Sequence, residues 1–296
     1  MEKIRIPRIK MPKEIERYRS QMVDELLASP TIVSFLKENN LDENFVTAHV
    51  VELMQMEEEN RPCLNCPGYT KCQKKPKGFT TTLEEVEGNY EVTYKKCQAY
   101  IEVEPLVGNY DYFDVPTEDW YYNSLENIAL NTPRRKIATA AINLLQNPTG
   151  KGIYAFGSGG VGKSYILTAL VNDLIRVHHV KASIVNVRSF LDDCKQSFDK
   201  NTSSYYLTDR INALQSIPVL LLDDIGSERN SKWSSNVLYD IIDMRSKKKM
   251  LTLYTSRYDL DELRTFYKEF FMDRIADAIK DSCEEIEVKG INLAQR

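Results

Sequence analysis

Residues 151–170 read KGIYAFGSGGVGKSYILTAL, and their order decides the fold. An apolar run over 152–156 precedes a glycine-rich turn that closes on Gly162-Lys163-Ser164, and an amphipathic stretch continues to residue 178. Strand, glycine-rich turn and helix in that sequence form the phosphate-loop pattern. Gly157, Ser158, Gly159, Gly160, Val161 and Gly162 are expected to aim backbone N–H groups at phosphate oxygens. The helix N-terminus adds positive potential at the same place. Lys163 is then placed to reach β- and γ-phosphates, Ser164 to ligate Mg²⁺, and Tyr165 to complete the nucleotide-binding set. A glycine-rich turn without function would need neither the intact Gly-Lys-Ser nor both flanking elements.

About sixty residues on, Val219-Leu-Leu-Leu222 runs into Asp223-Asp224. A buried strand ending in two carboxylates complements a phosphate loop. Asp223 is the expected Mg²⁺ partner, and Asp224 is placed to orient or deprotonate an attacking water. Between and around these motifs, strands and helices alternate. Helices are expected over 134–146, 164–178, 188–199, 205–214 and 234–247, and strands over 152–156, 182–187, 219–222 and 251–255. That alternation predicts an α/β domain over 132–296, a parallel sheet flanked by helices.

The N-terminal part differs in kind. Residues 1–60 carry apolar residues at helical spacing, with Ser29-Pro30 and Asp42 as helix starts. Over 61–104, prolines and glycines surround Cys63, Cys66, Cys72 and Cys97, and strand-like alternation follows at 90–94 and 99–103. Too few apolar residues lie there for an independent core, so a structural zinc on these four thiolates is expected, with His49 as an alternative fourth ligand. Cys194 and Cys283 are isolated. Lys71, Lys74, Lys75 and Lys77 form a basic cluster that suits single-stranded DNA, an acidic partner surface or plain solvent. The expected organisation is therefore an N-terminal domain over 1–104 with its zinc module at about 61–104, a linker over 105–131, and the α/β domain.

The 296-residue composition, 42% hydrophobic and 28% charged, is globular. A net charge of −4 leaves no general attraction for nucleic acid, so any such contact requires a local basic patch. The basic N-terminus lacks a following apolar stretch and no membrane-length apolar run exists, which with the clustered cysteines predicts a cytoplasmic protein.

Taken together, the chain resembles the bacterial helicase loaders of the DnaI/DnaC type. The resemblance is carried by CLNC at 63–66, KGIYAFGSGGVGKSYILTAL at 151–170, VLLLDDIGSE at 219–228, YTSRYDLDEL at 254–263 and FMDRI at 271–275. It implies an AAA+ P-loop ATPase domain preceded by a small helical and zinc-binding domain that grips the replicative helicase hexamer. It further implies ATP hydrolysis, contact with single-stranded DNA, and self-association through the AAA+ domains. Arg274 matches the family's arginine finger, which completes a neighbouring subunit's site. In Thr255-Ser256-Arg257, either Ser256 or Arg257 serves as the polar sensor, with Ser256 taken as the catalytic candidate. The ATPase motifs alone are shared with IstB-type transposition helper ATPases. A nucleotide-gated adaptor with little turnover is a further alternative.

Overall fold

The computed structural model describes residues 12–128, 132–148, 150–199, 204–269 and 272–292. The chain divides into two compact units, Met1–Glu102 and Val103–Arg296.

The first unit begins with α1 (Lys13–Ala28), α2 (Pro30–Glu38), α3 (Glu43–Ala48) and α4 (Val50–Asn60). Proline opens α2 at its first turn, where its missing N–H costs nothing. The Asp42 carboxylate accepts from the Phe45 N–H to cap α3. One continuous helix is expected from Asp42 onward, but the chain breaks at His49. The His49 ring packs against Phe45 at 4.4 Å and Tyr90 at 5.2 Å, so it serves an aromatic cluster. Leu26, Ile32, Val46, Leu53 and Met56 bury the facing sides of the helices.

A hairpin follows, β1 (Phe79–Val86) against β2 (Asn89–Lys96). Its turn residues Glu87 and Gly88 both have positive φ, 51° and 84°, the hand that matches strand twist. The strand expected at 99–103 is instead the short helix α5 (Gln98–Ile101). Asn60, at the end of α4, ties the hairpin down. It donates to the Thr81 carbonyl at 2.7 Å and accepts from the Thr81 N–H at 2.9 Å and from the Lys74 ammonium at 2.7 Å.

The second unit holds α6 (Glu104–Val107), β3 (Tyr110–Phe113), α7 (Arg135–Gln146), β4 (Gly152–Phe156), α8 (Lys163–His178) and β5 (Ala182–Asn186). It continues with α9 (Val187–Asp199), α10 (Ser204–Ser216), β6 (Val219–Ile225), α11 (Lys232–Lys247) and β7 (Leu251–Ser256). The last elements are α12 (Leu260–Lys268), α13 (Arg274–Ser282) and β8 (Cys283–Glu287). Among the described residues, six parallel strands lie in the order β3-β5-β6-β7-β4-β8. This is the α/β architecture read from the alternation.

The segment 105–131 is not a free linker. It supplies β3, the edge strand beside β5, and its Leu106 and Leu125 join the core around α8. Its tyrosines conceal the strand in sequence, because aromatic and acidic residues mix there without a two-residue period. Helix α8 is buried along residues 166–175, as expected of a helix covered on every side.

Candidate functional site

The strand order places the chemistry. β7 lies between β4, which runs into the phosphate loop, and β6, which ends in Asp223 and Asp224. A residue at the C-terminal end of β7 therefore stands between loop and carboxylates, at the strand ends where ligands of open parallel sheets bind.

The loop itself is set by its glycines. Gly157 has φ +134°, and a Cβ there would meet the Val288 carbonyl at 2.5 Å. Gly160 has φ +75°, and a side chain would run into the Asn292 amide. Both positions require glycine for conformation and for close approach. From the other side, Arg134 donates to the Val161 carbonyl at 2.8 Å, holding the turn before α8.

Lys163 is buried, and its ammonium donates to the Gly157 and Ser158 carbonyls, each at 2.7 Å. Burial lowers its pKa, opposed by the carboxylates of Asp224 and Asp223. Burial likewise raises the Asp223 pKa, while hydrogen bonds from Ser164 and Thr255 favour its ionised form. Ser164 is thus hydrogen-bonded to Asp223, and Lys163 lies within electrostatic reach of Asp223 and Asp224. Tyr165, itself exposed on the first turn of α8, meets the Trp120 ring edge to face.

Thr255 is the contribution the sequence reading lacks. Its hydroxyl donates to Asp223 at 2.7 Å and accepts from the Asp224 N–H at 2.8 Å. Asp224 adopts φ +56°, and the β6–β7 register slips between Leu222 and Ile225, so the two consecutive carboxylates sit at a bulge in the β6–β7 ladder. The Arg257 guanidinium lies 3.9 Å from the Asp224 carboxylate.

Ser256, the expected sensor, points elsewhere. It is fully buried, donates to the Ile225 carbonyl at 2.7 Å and accepts from the Tyr258 N–H at 3.1 Å. Alternation along β7 explains this, since adjacent residues face opposite sides of the sheet. Of the two residues weighed, Arg257 is the one beside the carboxylates. A polar residue closing an apolar strand was the available signal for Thr255. Arg274 opens α13 as an exposed side chain.

In the first unit, Cys63, Cys66, Cys72 and Cys97 are all free thiols. Burial raises the Cys63 pKa, and repulsion from Cys66, Cys72 and Cys97 acts in the same direction, opposed by Lys74. His49 is engaged in the aromatic cluster with Phe45 and Tyr90. Among the described residues, however, no three His, Cys, Asp or Glu side chains stand in a metal-ligating arrangement. The lysine cluster does not form one exposed surface either. Lys74 is buried on Asn60 and Thr81, and Lys77 donates to the Thr70 carbonyl. No helix among the described residues is long and apolar enough to cross a membrane.

Comparison with known proteins agrees with this geometry. The family model described as IstB-like ATP binding protein matches residues 122–296, and the one described as primosomal protein DnaI N-terminus matches residues 1–94. The replicative helicase loader DnaI of Bacillus subtilis (strain 168) is 23% identical over 293 residues, covering 96% of this chain and 89% of that protein. The replicative helicase loader DnaC of Escherichia coli (strain K12) is 28% identical over 120 residues, 40% of this chain and 47% of that protein. A crystal structure of DnaI is similar with a TM-score of 0.54 at 27% identity, covering 62% of this chain and 98% of that one. The resemblance to DnaI/DnaC-type proteins read from the motifs is borne out over nearly the whole length.

Proposed function

This chain belongs to the IstB-like ATP binding protein family, and from that premise we propose that it is an ATP-dependent helicase loader. It binds the hexameric replicative DNA helicase and delivers it onto single-stranded DNA. The observation that carries the reading is the convergence of Lys163, Ser164, Asp223, Asp224 and Thr255 at one end of one sheet. Both units of the chain, moreover, match loader sequences.

The residues divide the work by position. Backbone N–H groups of 157–162 hold phosphate oxygens, and Lys163 exchanges its loop carbonyls for the β- and γ-phosphates. Ser164 and Asp223 would hold Mg²⁺, which neutralises phosphate charge when bound. Thr255 fixes the Asp223 carboxylate and the Asp224 backbone together, so one hydroxyl sets both. Asp224, beyond the bulge, orients the attacking water and receives its proton. Arg274 reaches the site of an adjacent subunit, so hydrolysis depends on assembly.

The clustering of Cys63, Cys66, Cys72 and Cys97 in sequence supports a structural zinc with these four as its ligands. It would staple a segment too poor in apolar residues to fold alone, and the unit around it contacts the helicase. Coupling is reciprocal, so helicase and DNA each change ATP affinity.

The test is helicase delivery to single-stranded DNA by wild type and Lys163→Ala, alongside native mass spectrometry of loader with helicase. The expected result is a complex of fixed stoichiometry with one zinc per loader. Lys163→Ala should retain that complex and lose delivery. Equal delivery by the variant would overturn the reading. No helicase complex, with filaments on duplex DNA instead, would point to a transposition helper ATPase.

A further inference from the structure

A phosphate loop grips phosphates and leaves the base to other residues, and the motif does not say which. The loop's own direction limits where to look. Ser164 and Lys163 serve the metal and the β- and γ-phosphates, so the nucleoside lies away from Asp223, past the residue that follows Ser164. That residue is Tyr165, and the ring against it is Trp120, with centroids 5.6 Å apart and planes at 79°.

Trp120 is held there by an unusual amount of buried polar chemistry. It belongs to a short 3₁₀ turn, Glu118–Tyr122, that lies along α8. Asn172 of α8 donates to the Trp120 and Asn123 carbonyls, both at 2.8 Å. Arg176 donates to the Tyr121 carbonyl at 2.8 Å and the Asn123 carbonyl at 3.1 Å. The Asp173 carboxylate accepts from the Leu125 N–H at 2.8 Å and the Ser124 hydroxyl at 3.1 Å, and pairs with Arg176 at 2.9 Å.

Tyr165, Asn172 and Arg176 are spaced by seven and then four residues, which puts them on one stripe of the helix. The Trp120 backbone is thus pinned at the level of Asn172 while its indole extends toward the phosphate-loop end. Asn172 is fully buried and Asp173 7% exposed, and polar groups of that kind fix a loop's position far more firmly than apolar contact does.

We propose that Trp120 is the stacking platform for the purine base of the bound nucleotide, a reading that rests on the ATP site described above. The indole supplies a rigid π-face beside the first turn of α8, and the Asn172–Asp173–Arg176 clamp holds it ready before the nucleotide arrives. Base stacking is tolerant of ring identity, so Trp120 discriminates nucleotide from bare polyphosphate and not adenine from guanine.

The experiment measures equilibrium binding of ATP and of inorganic tripolyphosphate to the full chain carrying Trp120→Ala, Trp120→Phe or Lys163→Ala. Trp120→Ala should weaken ATP binding by about tenfold or more, the scale of one lost base stack. Tripolyphosphate affinity should stay at the wild-type value, and Trp120→Phe should restore most of the ATP affinity. Equal weakening of both ligands would show that Trp120 only supports the loop, and would overturn the proposal. Unchanged ATP affinity in Trp120→Ala would overturn it too. In either case, loss of both ligands in Lys163→Ala leaves the nucleotide site itself standing. Failure of the wild-type chain to bind ATP would instead remove that site and the platform together.

Discussion

At the scale of single residues, the site turns on two adjacent hydroxyls that face opposite sides of β7. Thr255 donates to Asp223 and accepts from the Asp224 N–H, whereas Ser256 spends its hydroxyl on Ile225 and Tyr258 inside the core. The two alanine variants should therefore fail differently. Thr255→Ala frees the Asp223 carboxylate and the strained Asp224 backbone, and misplaced catalytic groups cost roughly tenfold to a hundredfold in rate. ATP turnover should fall by that factor, with nucleotide affinity nearly kept. Ser256→Ala strands the buried Ile225 carbonyl and unpairs the Tyr258 N–H, which costs about 1–3 kcal/mol of stability, and turnover per folded molecule should survive. Turnover assays paired with urea unfolding separate the two. A Ser256→Ala enzyme that is stable but inactive would restore Ser256 as the sensor. Sequence could name the candidates here, since all three polar residues follow one apolar strand. It could not choose, because the choice depends on which side of the sheet each residue of β7 faces beside the carboxylates, and that is settled by register across the sheet.

Among elements, the turn after β6 is tied to α12 by a buried carboxylate. Glu228 is 6% exposed, accepts from the Gly226 N–H at 2.8 Å and from the hydroxyl of the fully buried Tyr267 at 2.5 Å. Burial raises its pKa above the ordinary carboxylate value, and these hydrogen bonds only partly oppose that. A raised folded-state pKa means the native protein holds the proton longer than the unfolded chain does. The resulting stabilisation is complete below the unfolded value and is lost as pH rises through the folded one. Glu228→Gln, which carries no charge, should lack this dependence. Unfolding midpoints of wild type and variant, measured from about pH 4 to about pH 8, should thus diverge, with wild type losing ground as pH rises. Parallel curves would show that Glu228 titrates alike folded and unfolded. The elements themselves were unequally legible. Apolar strands such as 152–156 and 219–222 announce themselves because both faces are buried. β3 does not, since Tyr110–Phe113 is an edge strand whose exposed side is mixed, and β8 is hidden in the acidic run Cys-Glu-Glu-Ile-Glu. The helix break at His49 was equally invisible, as His49 packs in an aromatic cluster with Tyr90, forty-one residues away.

For the whole molecule, the position of Arg274 carries the argument for assembly. A cation in the first turn of a helix opposes the helix dipole, so Arg274 at the start of α13 costs stability in its own chain. Its neighbours Ile275, Ala276 and Ile279 are buried and hold the helix in place while Arg274 stays exposed. An exposed arginine that its own helix does not need suits the role proposed for it across a subunit boundary. Arg274→Ala should then leave stability equal to or slightly above wild type and leave ATP affinity intact, while abolishing turnover. Lys163→Ala abolishes turnover for the opposite reason, through its own site. The two defects should complement each other. In a mixed assembly, an Arg274→Ala subunit has an intact phosphate loop and a Lys163→Ala neighbour has an intact finger. One interface in one orientation becomes competent, and random equimolar mixing recovers up to about a quarter of wild-type turnover. The measurement is ATP hydrolysis by each variant alone and by the mixture at equal total protein, with helicase and single-stranded DNA present. Recovery on mixing requires that Arg274 act across a subunit boundary. Additive, near-zero rates would place its role within its own chain, and a stable, active Arg274→Ala protein would remove it from catalysis altogether.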